Sequence, residues 1–462
     1  MRSKQLTFLL IILLISPFFI NCTLTAKAET TKTSPDVYVG VDIAFGSIAQ
    51  TEQLIDNVSS YTNFFVIGCA QKIGTSNGFG IYNETRLTII SQYVYNKGLN
   101  FIVYSDDPSY PSKQWLENAT KNFGSRFMGI YWFDEPGGRQ LDNDYPAVTF
   151  AKNFNNAANQ YVNMLNSWLL SGPYAITSNF DYPAEYQLFT SDYGLYWYDY
   201  EAGYNTVFAE FGFNSGNENY SRQLSVSLCR GAATAFNQNW GVMITWAYKQ
   251  PPYMEPGPEL YDDMILAYEN GAKYIVVFDS NANYTENVLQ QGQLDAIKTF
   301  WQYAQDNPRT VSQASDRSAY VLPQDFGYGF RSPNDTIFGL WNADWDGTAS
   351  LSFTADISMC VVTFLQMLGS NLDILYSNGN QTVRSLGYKN VIYWNDTNII
   401  PYMPIMPPQT AATSVRAQQL MSYDTTIELY AIVASIVVAL AVAGAVLRVK
   451  RRKSSERASD AG

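Results

Sequence analysis

Between Asp36 and about Arg309, short apolar runs alternate with longer segments of helical periodicity. The runs read VYVGVDIAF (37–45), NFFVIGCA (63–70), NFIVYSD (100–106), GIYWFDE (129–135), YAITSNF (174–180), TVFAEFGF (206–213), GVMITWAY (241–248) and YIVVFDS (274–280). Between them, NETRLTIISQYVYNKG and KQWLENATKNFG place apolar residues at three- and four-residue steps, with a Gly where a helix would stop. Near-continuous apolar strands separated by helices predict a parallel sheet covered on both faces. Eight such units in about 270 residues match an α/β fold of the (β/α)8, or TIM, barrel type over 36–309. DYGLYWYDYE (192–201) competes as a further strand, and a doubly wound open sheet is the alternative fold. No Gly-rich phosphate loop follows the first run, which argues against the nucleotide-binding form of that alternative.

A second unit is expected over 310–398. AYVLP, TIFGLW, LDILYS and NVIYWN read as strands and Ala355 to Leu368 as a helix, giving a small α/β domain against the barrel. Residues 399–426, opening PYMPIMPPQT, read as an extended Pro/Thr/Ser stalk, because proline blocks helix and sheet pairing.

The two ends of the chain carry export signals. Arg2 and Lys4, an apolar stretch from Leu6 to Ile20, and Ala26-Lys27-Ala28 read as a signal peptide over 1–28. Cys22 in FINC offers a lipoprotein alternative, with Asn where a small residue is wanted. Residues 427–447 are expected to form a transmembrane helix. Leu429 to Leu447 is a run of 19 residues without a charge, enough at roughly 1.5 Å per residue to cross a ~30 Å hydrocarbon core. RVKRRK follows as the basic cytoplasmic flank of the 448–462 tail. The expectation is a single-pass type I cell-surface protein with an extracellular ectodomain.

Charge agrees with that arrangement. The whole chain is −12; without the +4 of the tail and the +3 of the leader, the ectodomain is −19. Such a surface repels nucleic acid, which excludes it as a partner. Sequons at Asn57, Asn83, Asn118, Asn219, Asn283, Asn334, Asn380 and Asn395 suit a glycoprotein. Cys69, Cys229 and Cys360 are too few for a disulfide framework and are read as small apolar residues.

The chain has no histidine. That removes Ser-His-Asp and Cys-His mechanisms and every His-ligated metal site, leaving carboxylate, tyrosine and lysine chemistry. No cofactor is implied. In such a barrel, function sits at the C-terminal strand ends. Those ends carry Asp42, Asp106, Asp134 with Glu135, Asn179, Glu210, Trp246 with Tyr248, and Asp279. Carboxylates interleaved with aromatics suit a sugar, whose apolar faces stack on rings while its hydroxyls bond to acids. Glycosidic cleavage requires one carboxylic acid to protonate the leaving oxygen and a second carboxylate as nucleophile or base.

YWFDEPGG at the end of the fourth run resembles the acid/base position of the (β/α)8-barrel glycoside hydrolase superfamily. In the best-known clan an Asn-Glu pair ends strand four and a Glu nucleophile ends strand seven. The resemblance implies that Glu135 is the acid/base. Asp134 stands in place of the Asn, and GVMITWAY brings no Glu to the seventh end. The second carboxylate is therefore sought at Glu210, on a strand and so rigidly held, with Glu255 in PPYMEPGPE and Glu201 in YDYEAG as alternatives.

If the strand continued through Asp134 and Glu135, they would point to opposite faces, and one of them would cap a helix or pair with Arg139. Glu210 has its own structural reading, as a buried acid held by a tyrosine or by Arg230. Asp134 is expected to tune the proton affinity of Glu135. Trp132, Trp197, Trp246, Tyr248, Glu255, Asp42 and Asp279 are substrate-contact candidates, each with a structural alternative in the core or at the rim. Three functions follow: a glycoside hydrolase acting on a polysaccharide or glycan, a non-catalytic carbohydrate-binding or adhesion protein on a degenerate barrel, or an oxygen-ligated Ca2+ site at the acidic mouth.

Overall fold

The computed structural model describes residues 36–396, apart from 69–70, 73–80, 108–109, 172–186, 214–218, 333–334, 343–352 and 378–382. The leader, stalk, transmembrane segment and tail, and the YAITSNF run with Asn179, lie outside the described residues. Among the described residues no helix is long and apolar enough to cross a membrane.

Eight parallel strands close into a barrel. They are β1 (Tyr38–Ile43), β2 (Phe64–Ile67), β3 (Asn100–Ser105), β4 (Phe127–Trp132), β5 (Gln187–Asp192), β6 (Thr206–Phe211), β7 (Asn239–Ile244) and β8 (Tyr274–Phe278). Neighbours in sequence are neighbours in space, and β1 pairs with β8 to complete the ring. The fifth strand is Gln187–Asp192 rather than the expected 174–180. The 192–201 segment is strand only at Asp192, and its remainder enters a short helix at Tyr196–Ala202.

Helices form over both of the quoted segments, NETRLTIISQYVYNKG and KQWLENATKNFG. α1 (Ile48–Val58) starts on a capping box between Ser47 and Gln50. α2 (Glu84–Asn96) is capped by Asn83, and α3 (Lys113–Phe123) starts at Ser112 and stops at Gly124, whose φ is +55°. α4 (Pro136–Asp142) and α5 (Phe154–Ser171) link β4 to β5, and α6 (Tyr196–Ala202) links β5 to β6. α7 (Asn219–Phe236), α8 (Gly257–Glu269) and α9 (Gln291–Asp306) complete the wrap.

Strand alternation sends Phe64, Val66, Ile102, Tyr131, Phe189, Phe208, Met243, Tyr274 and Val276 into the barrel as one buried cluster. Aromatic rings fill it: Tyr38 stacks on Tyr274 at 5.0 Å and Phe189 on Phe208 at 5.8 Å. The barrel floor is thus closed, and ligand chemistry is confined to the mouth.

A second sheet, β9 (Ser318–Leu322), β10 (Leu372–Tyr376) and β11 (Asn390–Tyr393), is parallel with β9 central, and carries helix α10 (Phe353–Leu368). TIFGLW forms a short antiparallel pair, Thr336–Ile337 with Trp341–Asn342. The chain through Trp394 is one compact unit, in which β10 lies against α7. Asp373, fully buried on β10, accepts from Arg230 Nε of α7 at 2.7 Å, from Arg317 Nε at 2.8 Å and from the Tyr388 hydroxyl at 2.7 Å. Arg230 therefore holds Asp373, not Glu210. Cys229 is buried with a free thiol.

Candidate active site

β4 ends at Trp132, and the backbone then leaves the strand. Phe133 and Glu135 both adopt left-handed conformations, with φ of 53° and 54°. The turn is pinned by Phe133 N–H to Ser105 O at 3.0 Å, Thr190 Oγ1 to Phe133 O at 2.7 Å, and Glu135 N–H to Ser191 O at 3.1 Å. The expected alternation of Asp134 and Glu135 to opposite faces therefore does not apply. Both carboxylates act on the same buried cluster.

That cluster is assembled from three adjacent strands. Tyr131 on β4 donates its hydroxyl proton to Asp134, and lies 2.6 Å from the Ser191 hydroxyl on β5. Ser191 Oγ in turn stands 3.1 Å from Asp134 Oδ1 and 2.6 Å from Glu210 Oε1 on β6. Glu210 is 5% exposed, whereas Glu135 is half-buried. Glu135 and Glu210 lie close enough to shift one another's acidity. Desolvation and the charges of Glu210, Asp134 and Asp192 hold Glu135 well above the usual carboxylate range. Burial and the charge of Asp134 push Glu210 up to about 8, against the opposing hydrogen bond from Ser191. Asp134 thus bears on the acidity of Glu135 as expected.

Beneath Glu135 lies a carboxylate that the sequence pattern did not reveal. Asp192, fully buried at the end of β5, accepts the backbone N–H groups of Gly137 (2.5 Å), Gly138 (2.8 Å), Tyr193 (2.8 Å) and Gly194 (3.1 Å). The first two belong to the first turn of α4, which Glu135 caps. Neither glycine admits a side chain: a Cβ on Gly137 would lie 2.4 Å from Gly194 O, and one on Gly138 would lie 2.1 Å from the Tyr193 ring. The PGG after Asp134-Glu135 is thus a close approach of helix to carboxylate as well as a strand stop. Burial raises Asp192 to about 7 despite these donors. Asp199, on α6, is also fully buried and accepts from the Tyr161 hydroxyl at 2.9 Å. Burial and the charge of Asp192 hold Asp199 well above the usual carboxylate range.

α4 is also gripped from the second unit. Gln140 Nε2 donates to Phe338 O at 2.7 Å and to Val148 O at 2.8 Å. Asp142 accepts from the Tyr193 hydroxyl at 2.7 Å and pairs with Arg331, which also holds Asp335.

The other candidates divide. Asp42 and Asp279 end the paired strands β1 and β8, and Asp279 N–H donates to Asp42 O at 2.7 Å. Asp279 accepts from Asn287 Nδ2 and from the N–H groups of Val288 and Leu289, so it shapes the loop after β8. Asp106 acts on Asp134 as a like charge. Trp246 is half-buried at the rim, donates to Ser280 O at 2.6 Å and contacts Tyr253, Phe278 and Tyr284. Tyr284, 47% exposed on the same loop, faces Asp134, Glu135, Arg139 and Glu210 electrostatically. Tyr248 is exposed and lines a groove of about 710 Å³ beside the mouth, with Phe213, Lys249, Met254 and Gln290.

Three candidates are corrected. Trp132 follows the inward-facing Tyr131, so alternation turns it to the outer face of the barrel, where it is 4% exposed. Trp197 lies on α6 and packs on Phe236 and Tyr376, away from the mouth. Glu255 is buried in an ion pair with Arg222 at 2.7 Å, and Arg222 also holds Asp263. Glu255 is not opposed to Glu135. Glu201 is on the exposed side of α6. Among the described residues no group of three or more acidic or cysteine side chains is arranged to hold a metal ion.

No protein-family model matches the chain, and no curated protein sequence matches it. Solved structures do. A GH5_18 protein from Streptomyces cattleya in complex with GlcNAc is similar with a TM-score of 0.53 at 10% identity, covering 79% of this chain and 100% of that one. A variant of it in complex with Manb1-4GlcNAc gives 0.51 at 11% identity, covering 78% and 99%. A β-galactosidase from the Antarctic haloarchaeon Halorubrum lacusprofundi gives 0.50 at 10% identity, covering 77% and 69%. The likeness shows the fold, a (β/α)8 barrel.

Proposed function

We propose that the protein is a glycoside hydrolase of the two-carboxylate kind, with Glu135 as general acid/base and Glu210 as nucleophile or base. The observation that carries this reading is the Glu135–Glu210 pair at the mouth, two carboxyl groups of unequal exposure that shift one another's acidity, with Glu210 fixed by Ser191. Glu210 is fixed by Ser191, so a sugar entering the mouth displaces the half-buried Glu135 side chain. The glycosidic oxygen then takes the Glu135 proton as its bond to the anomeric carbon breaks. Glu210, left ionised, attacks that carbon or activates a water to do so. Carbohydrate ligands in the similar structures support a carbohydrate substrate here. The test is Glu135→Gln and Glu210→Gln against a panel of glycans. Hydrolysis unchanged in either variant rejects the assignment.

The raised acidities of both groups fit a second reading as well, a non-catalytic carbohydrate-binding protein on the same barrel. Glycan binding by the wild type with no turnover of any bound glycan selects it.

The residue pattern outside the described region supports a cell-surface location, with 427–447 as the anchor and 1–28 as the leader. The sequon residues Asn57, Asn83, Asn118, Asn283 and Asn395 are exposed, as glycan acceptors must be. Carbonate extraction of membranes tests the anchor: release of the full chain, or retention of a chain ending at residue 398, counts against it.

A further inference from the structure

Asp42 is 4% exposed, and among the described residues its Oδ1 has no hydrogen-bond partner. Strand alternation fixes where it points. Tyr38 on β1 packs on the interior cluster, so Asp42, four residues on, faces the same interior at the mouth end. The neighbouring backbone belongs to Gly68, where a Cβ would stand 3.2 Å from Asp42 Oδ1. With glycine there, no side chain of residue 68 fills the space beside this buried oxygen.

The charges that act on Asp42 are Asp134 and Asp279, both negative, and together with burial they hold it well above the usual carboxylate range. Those neighbours have donors of their own. Asp279 accepts from Asn287, Val288 and Leu289, and Asp134 from Tyr131. Arg139 acts on Asp134 and Glu135 but is not among the charges that reach Asp42. A neutral sugar hydroxyl would satisfy the Oδ1 lone pair and leave the excess negative charge as it stands. A cationic donor does both, since N⁺–H···O⁻ bonds are about twice as strong as neutral ones and like charges repel strongly in a desolvated site.

We infer that the sugar received by the mouth carries a free amino group, an unacetylated hexosamine, whose ammonium is bound by Asp42 between Asp134 and Asp279. This rests on the carbohydrate reading of the site and names its substrate class.

The experiment is titration calorimetry on the full chain with D-glucosamine, D-glucose and N-acetyl-D-glucosamine as probes. Glucosamine is expected to bind roughly tenfold more tightly than the other two, a 1.4 kcal/mol preference. In the wild type, raising salt to 0.5 M weakens glucosamine and leaves glucose unchanged. Asp42→Asn brings glucosamine down to the level of glucose. Equal affinities for the three sugars, or a preference that is salt-independent or survives Asp42→Asn, overturns the inference and leaves the carbohydrate reading standing. Binding of none of them overturns both. Turnover is not read, so the outcome is separate from that of Glu135→Gln.

Discussion

The Ser191 hydroxyl stands 2.6 Å from Glu210 Oε1 and 2.6 Å from the Tyr131 hydroxyl. A serine hydroxyl donates one proton. Tyr131 gives its own to Asp134, so that of Ser191 goes to Glu210. One small side chain on β5 thereby ties the acid of the β4 turn to the acid of β6.

Ser191→Ala removes this bond, which for a charged acceptor is worth about 1.5–3 kcal/mol. The expected loss in kcat is roughly 10- to 100-fold. Ser191 lowers the Glu210 pKa, so its removal raises that pKa further. Because Glu210 works ionised, the acid limb of the pH–rate profile moves to higher pH. A limb that stays in place contradicts the role given to Ser191.

Stability is expected to favour acid. Glu210 and Glu255 rise from 4.5 to about 8, and Asp192 from 3.8 to about 7. A raised folded-state pKa means the native protein holds protons that the unfolded chain has released. The associated stability is complete below the ordinary carboxylate pKa values and is lost progressively as pH rises toward 8. Thermal unfolding recorded from pH 4.5 to 8.5 should show Tm falling across this window. A Tm that rises over it is incompatible with the buried acid pairs.

The seat of Glu135 depends on the approach of α4 to Asp192. Gly138→Ala drives a methyl group into the Tyr193 ring and is expected to cost about 1–3 kcal/mol, as overpacking does. Asp192→Asn presents an amide in place of the carboxylate that receives four N–H groups. Its expected effect falls on kcat more than on KM, since the residue touches the backbone beneath the acid. Steady-state kinetics distinguish this from a general loss of folded protein.

Asp373→Asn leaves Arg230 and Arg317 buried without their shared counter-charge. Breaking a buried pair in this way costs about 3–5 kcal/mol. Urea unfolding should show the midpoint shift at an unchanged slope.

The barrel was legible because seven of its strands are near-continuous apolar runs, which few folds other than a covered parallel sheet accommodate. The fifth was not. Four of the six residues of QLFTSD are polar, yet Thr190, Ser191 and Asp192 are all fully buried, spent on the turn and the carboxylate cluster rather than on packing. Glu135 and Glu210 could be named from strand ends, since period-two alternation and chain order suffice for that. Ser191, Asp192 and Tyr284 could not, because their relation to Glu135 runs between strands, through hydroxyls and backbone N–H groups that leave no spacing in the sequence. The left-handed turn at Phe133 and Glu135 likewise overrode an alternation that would have parted Asp134 from Glu135.

The contacts between α4 and the segment around Arg331 and Phe338 bear on how this chain can be rearranged. A carbohydrate-binding module appended to a catalytic barrel can be exchanged or deleted while the barrel keeps working. Here Gln140 and Asp142 lie within a few residues of Glu135 and are held by Phe338 and Arg331. The second unit is part of the mould in which the catalytic turn is cast, and a barrel cut away at residue 309 would keep its eight strands and lose the setting of its acid.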